Sequence, residues 1–599
     1  MAVTAIASPA QPPISPAIAK AGLVSSPSPH AEPRAHAAAA AGCVTLPNKN
    51  QLCGVQSSSQ NVTAFWGIPY AYVPPTRWQP SSLITNPAGG TAAQPGKMCP
   101  QAPYNPATMD ENCLSLNIWS VLNSSTFGNM SVLVFIHGGA FVSGSGSDAL
   151  YDGSRLATGG SGVVVVTLNY RLGALGFLTS TDQGVTSLGN LGLADQQNAL
   201  LWVKANIRAF GGDPNRVTIV GESAGAMSVG LHTFSVPSSK GLFSKAIMES
   251  NPMGEYYLTN TNATTVGNHF IDYLCSNPTG SGNNSGATCT GNWTIGISTS
   301  AIVAAQTNFL TSDGSDIKSG YIGIRSLPWQ PHLGGANMPI TVTAQPYLGF
   351  QPGTDSTVPV GIGINQDEGV LFAADLAIVE SLINGKSVKE EPSTPTYTAM
   401  IPDDFPSGDT SAILGAYPVA GSGQNYYSAA GVAFSNLVND FMFGCGGEQI
   451  ASTVTQNGGT VYFYYFTQPP FFDLYNKTDA PPSDFNDNGA CAPGQDHVCH
   501  GSELPYVFNN FTSIENNSNG KYQPQDSDRG LATKMSTAWS NFATVPNNGT
   551  PLPAPWVKYS ASTTQAFVLN GSSSGSVDID TTRHCTANWF DLPVPLFTP

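Results

Sequence analysis

The sequence predicts an α/β architecture: a large, mostly parallel central sheet flanked by helices, with insertions above the sheet. Three observations predict it. Short β-branched runs recur without polar alternation, the pattern of strands covered on both faces. Helical patterns lie between them, which implies parallel strands joined by crossovers. The intervals after Asn251 are long and rich in Gly, Ser and Asn, and such insertions build binding surfaces above a sheet.

In chain order, residues 1–41 are Ala, Pro and Ser with few charges and no aromatic residue. Pro9, Pro12, Pro13 and Pro16 interrupt any apolar core of a signal peptide, and no basic segment precedes it. The segment reads as a disordered leader or a mis-assigned start. Residues 42–599 read as a single domain with no internal repeat. Strands are expected at 132–136, 163–168, 217–220, 358–364 and 461–466, runs dominated by Val, Ile, Leu, Phe or Tyr. The clearest helix is 195–210, with Leu200, Trp202, Val203 and Ile207 at three- and four-residue steps, ended by Gly211-Gly212.

Composition narrows the function. The 599 residues carry 22 Lys+Arg against 38 Asp+Glu, a net charge of −16. That sign argues against binding nucleic acid or an anionic membrane surface. No stretch is apolar for the roughly 18 residues a membrane helix needs. The ten cysteines include the close pairs 43/53, 99/113, 275/289 and 491/499, which can close small loops as disulfides in an oxidising compartment. None has the spacing of a zinc site. Asn-x-Ser/Thr sequons at Asn61, Asn123, Asn129, Asn262, Asn283, Asn292, Asn476, Asn510, Asn516, Asn548 and Asn570 fit a secreted glycoprotein.

The sharpest chemical signal is Gly221-Glu222-Ser223-Ala224-Gly225, set between the strand at 217–220 and a helical stretch from 224 to 231. A G-x-S-x-G in that context is a nucleophile elbow, whose turn lifts the Ser223 hydroxyl to a helix N-terminus. Upstream, the strand at 132–136 runs into His137-Gly138-Gly139. The N–H groups of Gly138, Gly139 and Ala224 are candidates for a three-donor oxyanion hole.

The acid and base follow the serine in this chain order. Of the later histidines (232, 269, 332, 497, 500 and 584), His500 and His497 share a Gly-bearing loop suited to a base. His232 sits on the helix leaving the elbow, turned from the mouth of the sheet. Past the strand at 358–364 come Asp367 and Glu368, either of which is placed to orient an imidazole. Spacing alone leaves both choices open.

Taken together, these blocks resemble the type-B carboxylesterase/lipase family, which includes the cholinesterases. The resemblance spans roughly residues 50–595. Besides the elbow and the His-Gly-Gly turn, it is carried by Phe65-Trp66-Gly67-Ile68-Pro69-Tyr70-Ala71, Glu111-Asn112-Cys113-Leu114, Asn169-Tyr170-Arg171-Leu172-Gly173, Gly189-Asn190-Leu191-Gly192 and Phe210-Gly211-Gly212-Asp213-Pro214. It implies an α/β-hydrolase fold and an ester hydrolase without metal or organic cofactor. It implies Glu368 as the acid and His500 as the base, with ion pairs Arg77–Glu111 and Arg171–Asp195. It implies the disulfides Cys99–Cys113, Cys275–Cys289 and Cys445–Cys585, which leaves Cys43 with Cys53 and Cys491 with Cys499. Tannase-like esterases carry a Cys beside the serine; here that position is Glu222.

The loop between Cys99 and Cys113 is short and contains no Trp. This departs from the long lid of the family's lipases and from the choline-holding loop of its cholinesterases. The expectation is therefore a carboxylesterase acting on small to medium esters. A triacylglycerol lipase is the alternative, and a non-catalytic adhesion relative is disfavoured by the intact serine, acid and histidine. Phe141, Met253 and Phe372 are candidate pocket residues, with core packing an equal reading.

Overall fold

The computed structural model describes residues 40–579 and 585, apart from 58–60, 161, 255–256, 277–295, 313–328, 335–337, 347–357, 373–393, 396, 399–400, 402–409, 422–427, 473–490, 492, 495, 518–521, 547–555 and 572–573. The leader, Cys289 and the sequons at Asn283, Asn292, Asn476 and Asn548 lie outside the described residues.

A single large sheet organises the chain. The strands along its main path are β1 (Ala40–Thr45), β2 (Gln51–Gln56), β3 (Thr63–Pro69), β4 (Ser115–Ser120), β5 (Met130–Ile136), β6 (Val163–Leu168), β7 (Gly212–Glu222), β8 (Lys245–Glu249), β9 (Val360–Asn365), β10 (Val461–Phe466), β11 (Gln565–Leu569) and β12 (Ser574–Asp578), and the short strand Gly90–Thr91 pairs with β2 off that path. Their spatial order is β1-β2-β3-β4-β6-β5-β7-β8-β9-β10-β11-β12. From β6 through β11 every neighbour is parallel; β1 to β4 and the final β12 add antiparallel margins. The parallel centre follows from composition. β5, β6, β9 and β10 are buried along their whole length, so they can exist only with helices on both faces.

Helix α1 (Leu191–Asn206) continues into a 3₁₀ turn, Ile207–Phe210, and stops at Gly211 in a left-handed conformation (φ 91°). Helix α2 (Ala224–Phe234) is buried over its whole length beneath the sheet's mouth. Helices α3 (Ala429–Val438) and α4 (Cys445–Gln456) are joined by a π turn, Asn439–Gly444. The short α5 (Leu504–Val507) and the long α6 (Asp526–Thr544) pack together on the other side, with Trp539, Met535 and Phe542 wholly buried against β10 and its neighbours.

Four disulfides are formed among the described residues: Cys43–Cys53, Cys99–Cys113, Cys445–Cys585 and Cys491–Cys499. The expected bridge between Cys275 and Cys289 is not one of these four. Cys275 is buried near the end of the helix Asn260–Ser276 and is disulfide-bonded, but Cys289, the partner expected for it, falls outside the described residues.

Both expected ion pairs are present, in unequal surroundings. Arg171 meets Asp195 at 2.7 Å and 2.8 Å in full burial, whereas the Arg77–Glu111 pair, at 2.7 Å, remains partly solvated. Phe141 is a core residue, edge-on to Phe177, rather than a pocket wall. His232 is a buried structural imidazole between Ser239 and Gln196.

Candidate active site

The parallel strands β5, β7, β8 and β9 all end on one edge of the sheet, where the crossing loops converge. β5 delivers His137-Gly138-Gly139, β7 delivers the elbow, β8 ends at Glu249, and β9 runs into the turn bearing Glu368.

At the elbow Ser223 takes φ 56°, ψ −125°, a strained angle for a residue with a side chain. Its N–H donates to the Glu249 carbonyl (3.0 Å) and its own carbonyl accepts from Met227 (2.9 Å), which fixes the turn between β8 and α2. The glycines are steric requirements: a Cβ on Gly225 would strike the Ile136 carbonyl. Ser223 itself is only half-buried, so its side chain is reachable.

Gly138 lies directly against the elbow. A Cβ there would stand 2.9 Å from Ser223 Cβ and 2.7 Å from Glu222 Oε2, so the turn approaches the serine as closely as backbone allows. Gly139 has φ 102°, which only glycine adopts freely. Ala224 is the first residue of α2, where an α-helix leaves its N–H groups unpaired.

Glu368 and His500 lie side by side. Glu368, with no exposed surface, accepts the Asn365 N–H at 2.6 Å through Oε1, and its Oε2 lies 2.7 Å from His500 Nδ1. The neighbouring pair does different work. Asp367 accepts the Val498 N–H (2.8 Å) and donates its own N–H to the Val498 carbonyl (3.0 Å), stapling the acid turn to the histidine loop. Asn365 adds a third tie through the Cys499 carbonyl, at 3.0 Å. His497 is 3.9 Å from Asp367 and away from Glu368. Cys499, bridged to Cys491, packs on Val370, so the disulfide closes the segment leading into His500. Phe372 and Phe443 flank the imidazole at 5.4 Å and 5.1 Å.

Three carboxyls that the sequence reading left without a role gather here. Glu222 Oε1 stands 3.1 Å from His500 Nε2. Glu503 accepts from Ser250 (3.2 Å) and from Asn365. Glu249, in register with Glu222, accepts from the Trp539 indole, and its second oxygen is buried without a partner. Burial pushes Glu222 up to about 8, against the pull of His500, and pushes Glu503 up to about 7; Glu249 is raised well above the carboxylate range by burial and then by Glu503. Burial alone would lower His500, but Glu222, Glu368 and Glu503 outweigh it and hold the imidazole up to about 9. Glu222 was visible inside the elbow pentapeptide. Glu249 and Glu503 had no sequence signal, because the parallel register places the first beside the elbow and the fold of the histidine loop places the second.

The family model of the Carboxylesterase family matches residues 43–587. The chain is 31% identical over 530 residues to the para-nitrobenzyl esterase of Bacillus subtilis (strain 168), covering 86% of this chain and 93% of that protein. It is 32% identical over 534 residues to the fumonisin B1 esterase of Sphingopyxis macrogoltabida, covering 84% and 83%. Among solved structures, a thermophilic PNB esterase superposes with a TM-score of 0.68 at 27% identity, covering 91% of this chain and 99% of that one. With the elbow, the acid turn and the histidine loop assembled on one edge of an α/β-hydrolase sheet, the chain belongs to the carboxylesterase family of serine carboxylic ester hydrolases.

Proposed function

We propose that Ser223, Glu368 and His500 form the catalytic triad of a carboxylesterase for small to medium esters, with Gly138, Gly139 and Ala224 as its oxyanion hole. The observation that carries this reading is the 2.7 Å contact between His500 Nδ1 and the buried Glu368, on the edge where the elbow presents Ser223. His500 takes the proton from the Ser223 hydroxyl as its oxygen bonds to the ester carbonyl carbon. The carbonyl oxygen becomes an oxyanion held by the three N–H groups. Glu368 keeps the imidazole in the tautomer that presents Nε2 and stabilises its cation. On collapse, the bond to the alkoxy oxygen breaks and His500 protonates the departing alcohol. A water then repeats the sequence on the acyl-enzyme and releases the acid.

Esterase rather than lid-gated lipase is supported by the segment between Cys99 and Cys113, which carries turns and no helix. Secretion is supported by four disulfides and by exposed sequons at Asn61, Asn123, Asn129 and Asn262. The sequon at Asn510 is unsuited to a glycan, since its side chain is buried and donates to the Ala149 carbonyl at 2.7 Å.

The test is direct. Ser223→Ala is expected to abolish hydrolysis of p-nitrophenyl butyrate, and a fluorophosphonate is expected to label Ser223 in the wild-type protein. Turnover surviving in the alanine variant would refute the triad.

A further inference from the structure

We propose that Tyr170 is a positioning residue for the oxyanion hole, setting the direction of the Gly138 N–H from the far side of its peptide plane. The proposal rests on the triad and hole described above. A trans peptide unit is planar, so the carbonyl of one residue and the N–H of the next point in opposite directions and turn together. The N–H of Gly138 therefore aims wherever the carbonyl of His137 is held. That carbonyl accepts a hydrogen bond from Tyr170 Oη at 2.9 Å. The next unit repeats the device. The Gly138 carbonyl lies 2.8 Å from His137 Nδ1, which fixes the Gly139 N–H. The two locks are joined, because the His137 ring stacks on the Tyr170 ring with centroids 4.5 Å apart and planes 20° from parallel.

Tyr170 is itself rigidly held. It has no exposed surface and lies two residues past the end of β6. On one side, Asn169 donates its N–H to Ser115 (2.9 Å) and accepts from Gly146 (2.8 Å). On the other, Arg171 is bound to Asp195 through both backbone and guanidinium. The hydroxyl stays protonated, since burial and then Glu222 push its ionisation far above the usual tyrosine range. It is thus a permanent donor. A Cβ on Gly144 would collide with His137 Nδ1, so the backbone packs closely on the imidazole as well as the tyrosine.

A donor on each carbonyl also polarises the peptide and strengthens the N–H on its other side. The benefit appears only when charge develops on the substrate oxygen, so the loss of the Tyr170 hydroxyl should fall on the transition state.

Tyr170→Phe removes one oxygen and keeps the stack. With active sites counted by fluorophosphonate titration, kcat on p-nitrophenyl butyrate is expected to fall roughly tenfold with KM within about twofold. Affinity for a trifluoromethyl ketone, which presents a tetrahedral oxyanion, should fall by the same factor. His137→Phe, which keeps a stacked ring but frees the Gly138 carbonyl, should show the same split. Wild-type kcat per titrated site in either folded variant, or a loss confined to KM or to melting temperature, overturns the proposal. The two readings fail separately. Turnover that does not need Ser223 removes the triad, whereas Ser223-dependent turnover indifferent to Tyr170→Phe removes only the positioning role.

Discussion

His500 faces a carboxylate on each ring nitrogen: Glu368 at Nδ1 and Glu222 at Nε2. In the proposed triad the first orients the base. The second favours a proton on the nitrogen that this triad needs empty to accept one from Ser223, and it is one reason the imidazole is held up to about 9. The two groups titrate as a unit. Because the base must be neutral to act, activity should rise with pH through the upper range of this unit. Glu222→Gln removes a charge that retains the proton. The ascending limb of log kcat/KM against pH is therefore expected to move to lower pH, and a limb that stays or moves upward would contradict this electrostatic reading. The residue types of the site were legible in the sequence, since the elbow, the glycine turn and the Glu-Gly pair are local patterns. The choices between Asp367 and Glu368 and between His497 and His500 were not local. They follow from the staple between Asp367 and Val498, which uses up Asp367 and turns His500 inward.

Among the elements, β6 and β10 were found in the sequence at their observed limits, and β5 nearly so, because continuous apolar runs have no other use than a doubly covered strand. β8 was invisible. Its five residues begin and end with a charge, Lys245 and Glu249, yet all five are buried. Each charged end is explained by a partner from a distant element. Glu249 meets Trp539 of α6, and Lys245 Nζ donates to the carbonyls of Phe542, Ala543 and Val545, satisfying groups that the last turn of α6 leaves open. Lys245→Met keeps the stem and deletes the donor. It is expected to lower stability to urea by about 1–3 kcal/mol, the cost of stranding buried carbonyls. kcat should be preserved, since Lys245 and the elbow lie at opposite ends of the strands they share. An unchanged denaturation midpoint would show that solvent serves those carbonyls equally well.

Across the whole molecule, the −16 formal charge counts glutamates that the fold itself keeps protonated. Four glutamates, Glu222, Glu249, Glu368 and Glu503, gather around the elbow and the histidine loop with almost no exposed surface, and burial raises Glu222, Glu249 and Glu503 into holding their protons. This arrangement is a property of topology, since the four come from the ends of β7, β8 and β9 and from the histidine loop, and no sequence window contains them together. It has a consequence for stability. Between pH 6.5 and 8 the unfolded chain holds ionised glutamates and neutral histidines, whereas the fold still holds protons on Glu222 (to about 8), Glu249, His500 (to about 9) and, at the lower end, Glu503 (to about 7). The native state thus binds more protons than the unfolded state, and stability falls as pH rises through this window, by about 1.4 kcal/mol per pH unit for each proton. His232 and His332, lowered by burial to about 3 and about 4, act in the opposite sense, but only below 6.5, where the unfolded imidazoles become charged. Above 6.5 the carboxyl cluster is therefore unopposed by them. Urea titrations at pH 6.5 and 8 should show the higher stability at 6.5. Glu249→Gln, which still offers an oxygen to Trp539 but cannot ionise in either state, should flatten the slope by about one proton's worth. A stability that climbs from pH 6.5 to 8, or a slope indifferent to Glu249→Gln, would mean that the cluster is charged in the fold and must be neutralised by a cation.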